Sequence, residues 1–160
     1  MIKRMMILGV SLAMLALAPS ASASDASPAA HPAPDGISYR GIGNGWTGGR
    51  TGWSIDRKGR GRYESTERGR RISKRFDVGV EGFERLRRIL EPLESIHEMP
   101  CDGGGLTDQA HGGLSWQHGK QAWSLEIDFG CARGNGGDAW ARFGEANALL
   151  LEWAGAAPPA

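Results

Sequence analysis

Cysteine is scarce in this chain. There are two, Cys101 and Cys131, far apart in sequence. That spacing excludes a Cys-x-x-Cys redox pair, and two isolated cysteines cannot fill a zinc site alone. Long apolar runs are also missing. A bilayer-spanning helix needs ~20 apolar residues, and the most apolar segment, Ile7 to Ala18, has twelve. Several catalytic signatures are absent. Gly-x-Ser-x-Gly does not occur, and Ser115 reads as part of an ordinary strand, so the hydrolase elbow is excluded. His-Glu-x-x-His does not occur either, which removes the common zinc-protease helix. The glycine-rich stretch Gly41 to Gly52 is not followed by a Lys-Ser/Thr pair and is not a phosphate loop. Asp102 and Asp108 flank glycines but lack the carboxylate order of an EF-hand. No metal site and no cofactor are expected. Net charge is small, +1, so an anionic partner would have to be met by local asymmetry.

What the chain does have begins at its N-terminus. Lys3 and Arg4 precede the apolar run from Ile7 to Ala18, Pro19 breaks it, and Ala21-Ser22-Ala23 supplies a small-x-small cleavage pattern. This is the grammar of a secretory signal peptide over residues 1–23. It carries no cysteine for lipid attachment. Residues 24–36 are rich in Pro, Ala and Ser and read as a flexible leader; residues 156–160 read as a disordered tail. A single domain is expected over 37–155, in the periplasm or secreted, with no membrane span in the mature form. In an oxidising compartment, Cys101 and Cys131 are most simply a structural disulfide.

Charge divides the chain. Residues 40–75 hold eleven Lys/Arg against three acids, and residues 76–160 hold six against thirteen. Such asymmetry points either to an anionic partner or to two halves that neutralise one another. Gly59-Arg60-Gly61-Arg62-Tyr63 and Arg68-Gly69-Arg70-Arg71 interleave arginine with glycine, and the arginine fork suits phosphates and carboxylates.

Periodicity outlines the elements. Ile37 to Arg40, Trp53 to Asp56 and Arg60 to Ser65 read as strands, the last two joined by a turn over Asp56-Arg57-Lys58-Gly59. Gly41 to Gly52 reads as a loop holding Trp46. Arg71 to Val78 is a further strand with Ile72, Phe76 and Val78 on one face; Lys74 shares that face, as a snorkelling stem or an edge residue would. Phe83, Leu86, Ile89, Leu90 and Leu93 have helical spacing, and Pro92 should end or kink that helix. Leu114 to Gln117 and Ala122 to Gly130 form a hairpin with Trp123, Leu125, Ile127 and Phe129 on one face; Cys131 falls on that face if the strand continues. Asp138 is the expected N-cap of a helix over Ala139 to Ala154, with Gly155 as its stop. The order implies an α+β fold: an antiparallel meander sheet of five or six strands, two helices packed on one face, and one disulfide.

The segment from Gly52 to Tyr63, followed by Phe83 to Leu90, resembles small exported bacterial domains of unknown function. They carry a hydrophobic-x-Ile-Asp-x-x-Gly-x-x-x-Tyr hairpin before a Phe-x-x-Leu helix, and the match covers about a quarter of this chain. The resemblance implies an envelope location and assigns no catalytic residue. Three function classes remain. A non-enzymatic binding or structural module of the envelope would use Trp46 as an anchor for an envelope protein. A binder of an anionic envelope polymer, such as lipopolysaccharide phosphates, would use Arg60, Arg62 and Arg71; nucleic acid is not an expected partner. An enzyme would require His111 or His118 to meet Asp128.

Overall fold

In the computed structural model, residues 32–43, 49–67, 69–101, 109–131 and 137–156 are described. Six strands are present among them: β1 (Gly36–Ile42), β2 (Arg50–Asp56), β3 (Arg60–Glu67), β4 (Arg70–Asp77), β5 (His111–His118) and β6 (Gln121–Asp128). They form one antiparallel sheet in the order β4-β3-β2-β1-β5-β6. Helix α1 (Gly79–Leu90) is the crossover that separates the two hairpin groups in sequence, and α2 (Gly137–Trp153) follows β6. The expected α+β class, antiparallel meander and pair of helices are all present. β1 is more than the short strand expected, pairing with β2 on one side and β5 on the other. The loop expected over Gly41 to Gly52 is correspondingly shorter, because both its ends are strand.

Alternation decides what the sheet buries, since successive side chains point to opposite faces. Ile37, Tyr39, Trp53, Ile55, Tyr63, Leu114, Trp116, Leu125 and Ile127 face the helices and are buried. Phe83, Leu86, Ile89 and Leu90 of α1 meet them, with Phe143, Ala146, Leu149 and Leu150 of α2. At 25 cal/mol per Å², each large side chain buried in this layer contributes roughly 1.5–3 kcal/mol. Gly61 opposes Phe76 across the β3–β4 ladder, and a Cβ at Gly61 would lie 2.1 Å from the Phe76 ring. Glycine is required there because the ring occupies the space.

Local signals end the elements as their chemistry dictates. In the β2–β3 turn the Gly59 N–H reaches the Asp56 carbonyl at 2.8 Å, with Gly59 at φ 83°, as a type I turn closed by a left-handed residue requires. Pro92 lies in a 3-10 turn, Glu91–Leu93, directly after α1. Helix α2 ends with Gly155 at φ 53°; the Gly155 N–H donates to Glu152 and the Ala156 N–H to Leu151, the paired bonds of a Schellman motif. Lys74 lies on edge strand β4, and its ammonium donates to the Gly155 carbonyl, so its stem covers apolar surface on the way to the α2 terminus.

Three expectations are corrected. Val78 lies outside β4 and precedes α1; its N–H donates to the Gly59 carbonyl at 3.0 Å. Phe129 and Cys131 do not continue β6. The ladder ends at the His111–Asp128 pair, and the Gly130 N–H donates to the Asp128 carboxylate at 2.8 Å, which turns the chain into a 3-10 segment. Phe129 then packs against Trp140 and Phe143, at ring separations of 5.9 and 6.1 Å. Asp138 lies within the first turn of α2, where its charge suits the helix dipole, because the helix already begins at Gly137. Trp123 takes its expected place on the apolar face of β6 and is 37% exposed, with the His97 ring 5.0 Å away.

The disulfide is present between Cys101 and Cys131, with their Cα atoms 5.0 Å apart. Trp140 reinforces the same corner, donating from Nε1 to the Pro100 carbonyl at 3.0 Å.

Candidate functional site: the open face of the sheet

The helices cover one face of the sheet, and the side chains of alternate residues form the other. Strand register sorts that second face into rows. One row runs Arg75, Arg62, Ser54, Ser38, Ser115, Ser124 across all six strands. The next runs Ser73, Glu64, Gly52, Arg40, Gly113, Glu126, and the one beyond it Arg71, Thr66, Arg50, Ile42, His111, Asp128. Small residues occupy the centre. Long cationic side chains concentrate over β1 to β4, and the acids Glu126 and Asp128 lie on β6.

Arg60, Arg62 and Arg71, singled out from the sequence, therefore share this face. Their partners differ. Arg60 is tied to Asp56 by two hydrogen bonds, from Nε at 2.9 Å and from the terminal nitrogen at 2.6 Å. Partial burial pushes the Asp56 carboxyl up, but the Arg60 guanidinium and the backbone N–H groups of Arg60 and Lys58 outweigh it and hold this carboxyl below its ordinary value. Arg60 is thus a turn clamp with its fork committed. Arg62 and Arg71 instead converge on one atom, Glu64 Oε1, at 3.1 and 3.0 Å. Arg62 also donates from Nε to the Ser73 hydroxyl at 3.0 Å. All three remain open to water: the side chains of Arg62, Glu64 and Arg71 are 49%, 39% and 69% exposed.

Arg40, Arg50 and Arg75 share the face, and the sequence reading did not select them. Among the described residues none of the three has an ion-pair partner. The signal that could have found Arg75 is parity: counting by twos joins Arg62 to Glu64 on β3 and Arg71 to Arg75 on β4, and the Glu67–Arg70 pairing puts both sets on one side. Arg40 and Arg50 join only once β1 and β2 are in register.

The groups considered for catalysis are divided. His111 stands opposite Asp128 in the β5–β6 ladder, both exposed on the open face. His118 lies at the other end of β5 on the helix-facing side, opposite Gln121, with Nδ1 buried and unbonded among the described residues. Asp128 already accepts the Gly130 N–H. Among the described residues no group of three His, Cys, Asp or Glu side chains could hold a metal ion. Tyr39, on the covered face, is pushed up to about 12 by burial. Trp46 and Arg68, together with Asp102 and Asp108, lie outside the described residues. No described helix is long and apolar enough to cross a membrane.

No protein-family model matches the chain, and no curated protein matches it.

Proposed function

We propose that this chain is an exported, non-enzymatic binding module of the bacterial envelope, and that its partner is an anionic envelope polymer. The observation that carries the reading is the gathering of Arg40, Arg50, Arg62, Arg71 and Arg75 on the helix-free face of the sheet, three of them without an ion pair among the described residues. Export is supported by the n-region, apolar run and small-residue pattern of residues 1–23 and by the disulfide, which suits an oxidising compartment. An open sheet face of this kind suits an extended polymer, because successive anions can meet successive arginines.

The test is retention of the disulfide-bonded protein on immobilised acidic polymers at low and high salt. Retention at low ionic strength, lost at about 0.5 M salt as surface charges are screened, is the expected result. Replacing Arg62, Arg71 and Arg75 together by glutamine should abolish it. Equal retention on a neutral polymer would remove the reading.

A further inference from the structure

Glu64 occupies an unusual position in the cationic patch. One of its carboxylate oxygens is shared by Arg62 and Arg71, and Arg75 lies directly across from Arg62 on β4. Arg50 pairs in register with Thr66, two residues along from Glu64, and Arg40 lies two strands away with only Gly52 between them. Two guanidinium groups thus meet this carboxylate, and three more arginines occupy nearby register positions on the same face. At about 4.8 Å per strand and ~3.4 Å per residue, the arginines span roughly 14 Å in each direction. That is too broad for one small anion and suits several anions carried on one chain.

We infer that Glu64 is an internal occupant of this site, and that the ligand is a linear acidic polysaccharide whose carboxylates take the place Glu64 fills in the free protein. The inference rests on the binding function proposed above and adds its chemistry. A carboxylate is already seated here, on two arginines at 3.0 and 3.1 Å, which is the geometry a ligand carboxylate would reproduce. Ser38, Ser54 and Ser115 form the adjoining row and offer hydroxyls that can both donate and accept, as the hydroxyls of a sugar chain require. Removing the internal carboxylate releases Arg71, leaves Arg62 held only by Ser73, and removes repulsion toward an incoming anion. Glu64 therefore lowers affinity in the native protein.

The experiment measures binding of the whole, disulfide-bonded chain to polygalacturonate by calorimetry, with polyphosphate and anionic phospholipid vesicles as rival probes. Exposed ion pairs contribute up to about 1 kcal/mol, so Glu64→Gln should tighten polygalacturonate binding about two- to fivefold. Arg62→Lys, which keeps the charge and loses the fork, should weaken it about twofold or more. Arg85→Gln, on exposed helix surface, should leave it unchanged. Binding by the native chain that Glu64→Gln leaves unaltered or weakens overturns the inference while the polymer-binding function stands. Polyphosphate or vesicles binding more tightly than polygalacturonate at matched charge overturns the choice of carboxylate. Absence of binding to every polyanion overturns both proposals.

Discussion

At the residue scale, two positions show how packing and charge make opposite demands within one hairpin. Gly61 faces inward, where the Phe76 ring leaves no room for a Cβ. Gly61→Ala forces the ring or the strand to move, and overpacking of this kind costs about 1–3 kcal/mol; urea denaturation should register that loss. Asp56 faces outward, in a turn it holds by accepting the Lys58 and Arg60 N–H groups and the Arg60 guanidinium. Its carboxyl is held below the ordinary value, so the unfolded chain binds its proton more readily than the folded one. The contribution is fully present above the ordinary carboxylate range and is lost as pH falls through the lowered folded value. Wild type should therefore be more stable than Asp56→Asn near neutrality, and the two melting curves should converge in acid. A gap that persists unchanged at low pH would show that the turn owes nothing to this charge.

At the element scale, the helices and the second hairpin were legible because their signals are local. The spacing of Phe83, Leu86, Ile89 and Leu90 is a property of one turn and its neighbours, as is the alternation of Leu125 and Ile127. Where the reading missed at β6, apolar alternation ran on past a side-chain turn that ends the strand. Strand β6 ends at Asp128: the Phe129 N–H still reaches the Ala110 carbonyl at 2.9 Å, but the Gly130 N–H turns back to the Asp128 carboxylate at 2.8 Å. The corner that follows is held by Trp140 on Pro100 and by the Cys101–Cys131 bond, which closes a sequence separation of 30. Replacing both cysteines by serine should lower stability by roughly 3–4 kcal/mol on the loop-entropy model. Loss of less than about 1 kcal/mol in a denaturation series would mean that the unfolded chain is already constrained.

For the whole molecule, the division of charge along the chain becomes a division across a surface. The basic stretch folds into β2, β3 and β4, and the acids Glu126 and Asp128 stand on β6 at the far side of the same face. With a formal net charge of +1 for the whole sequence, and −1 without the Lys3 and Arg4 of the signal segment, long-range attraction to an anionic polymer is absent, and any affinity must come from the local patch. The salt dependence of binding should therefore track the arginines individually. Arg40→Gln with Arg75→Gln should flatten the plot of log affinity against log salt concentration, because fewer counterions are exchanged. A slope that the pair leaves unchanged would locate the binding surface elsewhere.

The sequence by itself determined the fold class, the strand and helix periods, the turn at Asp56–Gly59 and the disulfide partners, because each follows from residues close in sequence or from a cysteine count that allows one pairing. It also put Arg60, Arg62 and Arg71 forward by composition. Only the tertiary structure decided which of them are committed and which share an acceptor. Arg60 is closed by a residue four positions away, whereas the gathering of Arg40, Arg50 and Arg75 on the face of Glu64 depends on cross-strand register. Register is set by which hydrophobic face packs under the helices, and that is a property of the assembled sheet.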